Sequence, residues 1–309
     1  MTLHPQARQL CDMVNAIGGT PASDEQLQQA RDGLVMLHAG GAGEAPDVYA
    51  VGDLDADGVP VRVYRPSAAD GLPVVVFLHG GGWTIGSVDC YDTLARTLAN
   101  ESGATVVSVE YRLAPEHPFP APLDDCFHAL QWTAAHAGEF EADGSRLAIM
   151  GDSAGGNLAA VCALMARNAG APDLALQVLV YPVTDFSFAT PSYAENGTGH
   201  VLSKEQMHWF WDCYTRGVTD TDDWRLSPLR CADLSGAPPA LVITAEHDPL
   251  RDEGEAYAEQ LRDAGVAVEV TRYAGMIHPF FALPGMMDDG KTAMAQVASA
   301  LRLALKVGE

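Results

Sequence analysis

A serine stands at position 153 within Gly151-Asp152-Ser153-Ala154-Gly155, between the apolar run 147–150 and a small-residue stretch over 156–166. That placement predicts a sharp strand-to-helix turn. Its strained backbone would push the hydroxyl into the open, and small residues at 151 and 155 would let strand and helix approach. A serine hydroxyl is a poor nucleophile at neutral pH; it needs a base to take its proton and a third group to hold that base in one tautomer. Asp248 and His278 follow in the chain order serine, acid, histidine. Acyl transfer is therefore the chemistry indicated, with Ser153 as nucleophile, His278 as base and Asp248 as the orienting acid.

His278 lies in Gly275-Met276-Ile277-His278-Pro279-Phe280, a loop after the last expected strand, from which it can reach across the C-terminal edge of a sheet. Asp248 falls just past an expected strand at 241–244. Asp248-Pro249 also reads as a helix N-cap followed by proline at the first helical position, and Glu246, Asp252 and Glu253 are nearby acids. Asp252 and Glu253 would already be inside the helix, which favours Asp248 at the loop edge. Upstream, His79-Gly80-Gly81-Gly82-Trp83 closes an expected strand at 74–79. Glycines after a strand let backbone N–H groups approach the negative oxygen of a tetrahedral intermediate, with the N–H of Ala154 completing the set. The alternative for a glycine run is a phosphate loop, but neither GxGxxG nor the GxxxxGK pattern followed by Ser or Thr is present.

Positioning such residues takes a sheet. Short β-branched runs at 61–64, 74–79, 105–110 and 147–150 alternate with helical patches at 92–100 and 123–136, and the series resumes at 175–181, 240–244 and 267–273. The alternation predicts parallel strands joined by crossover helices, and the near-continuous apolar runs suit strands covered on both faces. A helix over 285–305 would close the sheet, with Met287, Met294, Val297, Leu301 and Leu305 at helical spacing. Residues 1–43 read as one or two helices. Residues 185–233 interrupt the series and are dense in aromatics, among them Phe186, Trp209, Phe210, Trp211 and Tyr214. Long insertions are often lids or binding elements, so Trp209 and Phe210, together with Trp83, are expected at the substrate pocket. The plainer reading is that these aromatics glue the insertion to the body.

At 309 residues and 48% hydrophobic, the chain can bury a large core, and one α/β domain with added segments is expected. The body would comprise 44–184 and 234–309. A formal charge of −23 argues against nucleic acid or an anionic membrane as partner, since both need a basic face. No stretch is long and apolar enough to span a bilayer, and residues 1–15 carry His4, Arg8 and Asp12 where a secretion signal needs an apolar centre; a cytoplasmic location is expected. The six cysteines show neither CxxC nor metal-ligand spacing, so free buried thiols and no metal are expected.

With HGGGW at 79–83, YRLAPEHPFPAPLDD at 111–125, GDSAGGN at 151–157 and DPLRDEG at 248–254, the chain resembles the hormone-sensitive-lipase-type carboxylesterases, the bacterial family IV esterases. The resemblance implies an α/β-hydrolase fold, a mostly parallel central sheet flanked by helices, with a helical cap built from 1–43 and 185–233. It implies Ser153, Asp248 and His278 as triad and Gly81, Gly82 and Ala154 as oxyanion donors, acting on a small ester without cofactor. It also implies supporting roles for His79, Gly80 and Asp152, and for Tyr111, Arg112 and Glu116, and it suggests a homodimer. HGGGW resembles the arylformamidase loop as well, making amide hydrolysis the alternative, though GDSAGG and DPLRDEG favour the esterase. The plant gibberellin receptors resemble this family but lack the histidine; His278 argues against such a binder here.

Overall fold

The β-branched runs pair into one sheet. The computed structural model describes residues 2–14 and 20–308. Its eight strands stand in the order β1-β2-β4-β3-β5-β6-β7-β8, namely β1 (Ala50–Ala56), β2 (Val59–Arg65), β3 (Leu72–Leu78), β4 (Thr105–Val109), β5 (Ala142–Asp152), β6 (Leu176–Val180), β7 (Ala240–His247) and β8 (Val268–Ile277). From β4 through β8 neighbours are parallel, while β2 runs antiparallel to both β1 and β4. Alternation along β3 feeds two cores. Val74, Val76 and Leu78 pack with Leu123 and Leu130 of α4 (Ala121–His136) and Leu158 of α5 (Ala154–Ala169). Val75 and Phe77 pack with Leu94 and Leu98 of α3 (Asp92–Ser102) and Val297 of α9 (Asp288–Ala304). Both faces are covered, which is why these strands read as unbroken apolar runs.

The remaining helices are α1 (Pro5–Val14), α2 (Asp24–Gly41), α6 (Pro191–Asn196), α7 (Lys204–Tyr214) and α8 (Arg251–Asp263). Residues 1–43 thus contain two helices, with Met1 and residues 15–19 outside the described residues. Ser23 caps α2 by accepting from the Gln26 N–H, and Ser203 and Gln206 form a reciprocal capping box on α7. Six free cysteines are buried, and no helix among the described residues is long and apolar enough to cross a membrane.

The structure differs from the sequence reading at one unanticipated strand and at two element starts. Strand β1 went unread because AVGDLDA is rich in Asp and Gly; it is an exposed edge strand held by its ladder to β2. Strand β5 starts at Ala142 rather than 147: Ala142 and Asp143 pair with Leu72 and Pro73, and the register shifts before Leu147 meets Val74. The closing helix begins at Asp288, not 285, because the Gly285 N–H is held by Gly41 O and those of Met286 and Met287 turn back on Leu283 O.

The end of β5 is crowded against its neighbours. A Cβ on Gly155 would lie 2.0 Å from the Leu78 carbonyl oxygen, and one on Gly151 would lie 2.2 Å from the Gly155 carbonyl oxygen. These are backbone atoms of packed elements and cannot yield as a flexible side chain would. Gly155→Ala is expected to destabilise the fold by about 3 kcal/mol or more. Gly33→Ala, within α2 where no atom lies within 4 Å, should instead stabilise by about 0.5–1 kcal/mol. Urea denaturation followed by circular dichroism measures both, and the two variants should move the midpoint in opposite directions.

Candidate active site

Every residue singled out for chemistry follows the C-terminal end of a strand: the glycine run after β3, Ser153 after β5, Asp248 after β7 and His278 after β8. Ser153 links β5 to α5 with φ 56° and ψ −119°, a left-handed conformation costing on the order of 1–3 kcal/mol for a non-glycine residue. Its own backbone is fixed from both sides. The Ser153 N–H donates to Val180 O at 2.9 Å, and Ser153 O accepts from the N–H groups of Asn157 at 3.0 Å and Val183 at 3.3 Å. The neighbouring Ala154 N–H opens α5, at the positive end of that helix.

The imidazole of His278 meets the acid expected for it. Nδ1 lies 2.8 Å from Asp248 Oδ2, while Asp248 Oδ1 accepts from the Leu250 N–H at 2.9 Å. With Nδ1 as the donor to a carboxylate, Nε2 is left as the basic nitrogen. Asp248 is wholly buried; His278 and Ser153 are each 7% exposed. The other three acids are occupied elsewhere. Glu246 accepts from the Gly275 N–H at 2.7 Å, Asp252 from the Ser192 N–H at 2.7 Å, and Glu253 from the Thr184 N–H at 2.8 Å. The N-cap position of α8 is Leu250 rather than Asp248, and the Asp248 side chain instead closes the turn that leads into that helix.

Gly81 and Gly82 adopt φ 113° and 59°, and Gly81 O receives the N–H groups of Thr84 at 3.1 Å and Ile85 at 2.9 Å. His79 shapes this loop. Burial holds its imidazole down at about 4, so it is neutral at neutral pH, and Nδ1 contacts Gly80 O at 2.8 Å as the donor. Tyr111 stacks on the ring at 4.2 Å and its hydroxyl donates to His79 O at 2.7 Å. Arg112 grips Asp125 through two contacts of 2.8 and 2.7 Å.

Comparison with known proteins agrees with this layout. A protein family described as alpha/beta hydrolase fold matches residues 75–282. The chain belongs to that family. It is 45% identical over 252 residues to carboxylesterase NlhH of Mycobacterium tuberculosis, covering 80% of this chain and 79% of that one. It is 37% identical over 291 residues to an ethyl acetate hydrolase of Pseudomonas putida, covering 91% and 90%. A solved hyperthermophilic esterase from the archaeon Pyrobaculum calidifontis superposes with a TM-score of 0.92 at 40% identity, covering 99% of this chain and 100% of that one.

Beneath Ser153 of this hydrolase lies a polar hub. Asp152 is buried and accepts from the Gly80 N–H at 2.9 Å, the Tyr91 hydroxyl at 3.0 Å and the Tyr181 hydroxyl at 3.5 Å. Tyr181 also packs its ring 4.4 Å from that of His278. The carboxyl next to Ser153 therefore ties the glycine loop to the ring behind His278. Sequence reading named Asp152 and Gly80 but missed Tyr91 and Tyr181, which no motif spacing marks. It also passed over Asn157, whose Nδ2 donates to Val183 O at 3.0 Å and Leu226 O at 2.9 Å.

The aromatics divide. Trp83, expected at the pocket, is fully buried and stacks on Tyr214 at 4.3 Å with the planes 4° apart; it packs the base of the 185–233 segment and presents no surface to a substrate. Trp211 and Tyr214 are likewise fully buried. Trp209 and Phe210 are half-buried, 5.0 Å apart. Phe210 lies on the glycine loop: a Cβ at Gly82 would fall 2.1 Å from its Cδ1.

Burial raises the Asp152 carboxyl from 3.8 to about 6, against the lowering pull of the Tyr91 hydroxyl, His278 and the Gly80 N–H. The native state thus holds this proton more tightly than the unfolded chain, so stability falls as pH rises from about 4 to about 6, by roughly 3 kcal/mol in all. Asp152→Asn cannot ionise. Its stability relative to the unaltered protein should climb across that window and stay level above it, as urea denaturation at a series of pH values would measure. A difference independent of pH would rule out the raised carboxyl.

Proposed function

We propose that this hydrolase is a serine carboxylesterase of the hormone-sensitive-lipase type, cleaving short- to medium-chain acyl esters in the cytoplasm. The carrying observation is the contact of 2.8 Å between His278 Nδ1 and Asp248 Oδ2, at the strand ends that also present Ser153 and the glycine loop. The motifs at 79–83, 151–157 and 248–254 support the subgroup. The buried free thiols support a reducing compartment.

In this mechanism Nε2 of His278 takes the proton of Ser153 as its Oγ attacks the ester carbonyl carbon. Charge collecting on the carbonyl oxygen is met by the N–H groups of Gly81, Gly82 and Ala154, and Asp248 steadies the imidazolium. The intermediate collapses, His278 returns the proton to the leaving alcohol, and an acyl-Ser153 ester remains. Water, deprotonated by His278, then attacks that ester, and the acid departs as Ser153 recovers its proton.

Ser153→Ala, His278→Ala and Asp248→Asn should each lower kcat by about four orders of magnitude on a p-nitrophenyl ester, with double variants little worse than the singles because the three act as a unit. A His278→Ala protein with near-normal kcat would remove the assignment. Gly82→Val is a poorer probe than its loop position suggests, since its side chain would displace Phe210 as well as a donor.

The ring of Phe210 over Gly82 supports a pocket closed by 185–233 above the oxyanion loop. Preference should rise with acyl length by at most about 0.8 kcal/mol per methylene until the pocket fills, then fall. Phe210→Ala or Trp209→Ala should move the optimum to longer chains while sparing acetate esters. Profiles across a graded p-nitrophenyl ester series test this, and an unchanged optimum in both folded variants would assign the two rings to packing alone.

A further inference from the structure

The oxyanion loop is held from outside by a residue that no motif includes. Arg31, midway along α2, donates from Nε to Thr84 O at 3.0 Å and from Nη2 to Ala114 O at 3.4 Å. Its Nη1 and Nη2 each lie 2.8 Å from one carboxylate oxygen of Glu116. Both carbonyls belong to the frame of the glycine turn. Thr84 closes that turn, its N–H on Gly81 O at 3.1 Å and its hydroxyl on Gly82 O at 2.9 Å. Ala114 receives the turn from the other side, its N–H on Trp83 O at 2.8 Å.

We propose that Arg31 is a positioning residue for the oxyanion loop, through which the docking of α2 sets where the N–H groups of Gly81 and Gly82 point. An ion pair whose side chains are 22% and 50% exposed contributes little to stability by itself. The consequence lies in geometry. A planar guanidinium can meet two carbonyls and a carboxylate at once in a fixed fork, which an ammonium cannot do. The Glu116 carboxyl is held below its ordinary value chiefly by its hydrogen bonds to Arg31. Elsewhere α2 has its own anchors: His38 Nδ1 on Cys90 O at 3.1 Å, and Gly41 O accepting the Gly285 N–H at 2.8 Å. Loss of Arg31 should leave the helix docked and the loop loosened.

The inference rests on the oxyanion assignment above, and steady-state kinetics on a p-nitrophenyl ester separate the two. Arg31→Ala should lower kcat by about tenfold to hundredfold, less than deleting a donor outright, with KM within about threefold. Affinity for a boronic acid, which mimics the tetrahedral intermediate, should fall in parallel. Free guanidinium at low millimolar concentration should restore part of kcat in Arg31→Ala and none in the unaltered protein. Arg31→Lys, which keeps the charge and endangers folding least, should lose about tenfold. Normal kcat in Arg31→Lys or Arg31→Ala, or a rise in KM with kcat intact, overturns the positioning role. An unaltered protein that hydrolyses no ester would instead overturn the functional reading itself.

Discussion

Ser153 holds a backbone conformation that its residue type disfavours, and the surrounding contacts keep it there. On one side the Ser153 N–H is fixed to Val180 at the end of β6; on the other, its carbonyl is shared by Asn157 and Val183. Below, Gly155 lets α5 come so close to β3 that no side chain fits between them. The turn can neither relax nor slide. A hydroxyl presented this way loses little further freedom on reaction, which is what preorganisation means at the level of one residue.

Around that turn, burial sorts ionisable groups into different tasks. His79 is kept neutral at about 4 by its enclosure and serves as a donor to the loop it precedes. Asp152, raised to about 6, has three donors turned toward it. Glu253 at the root of the 185–233 segment is pushed up by burial and by the nearby charges of Asp185 and Asp248, against the lowering pull of the N–H groups of Thr184 and Asp185. The environment rather than residue type separates these acids, and sequence alone ranks them only by their distance from a strand end.

How much could be read in advance follows from where the information lies along the chain. Strands covered on both faces announce themselves as apolar runs, and the placement of Ser153, Asp248 and His278 just past strand ends was legible with them. Strand β1 was not, because its ladder to β2 and not its composition makes it a strand. Trp83 misled because adjacency to the glycine run suggested the pocket. At φ 57° its ring instead turns into the stack with Tyr214 and Trp211. Tyr91 and Tyr181 stand 61 and 29 positions from Asp152, and Arg31 stands 53 from Thr84. Contacts of that separation exist only once the sheet order brings the segments together.

The sequence motifs carry two loads at once. Asn157, four residues past the nucleophile, pins Leu226. Just past the acid, Asp252 holds the Ser192 N–H, Glu253 holds Thr184 through both its carboxylate and its carbonyl, and Arg251 reaches Glu195 at 3.0 Å. Residues flanking Ser153 and Asp248 therefore anchor the segment that lays Phe210 on the glycine loop. Chemistry and pocket shape cannot vary independently in such an arrangement. A change in these flanking positions alters the seat of the 185–233 segment, hence the space beside Gly82, even when the triad is untouched. On α7 itself, Trp209 and Phe210 stay half-buried beside this anchorage, with Phe210 against Gly82.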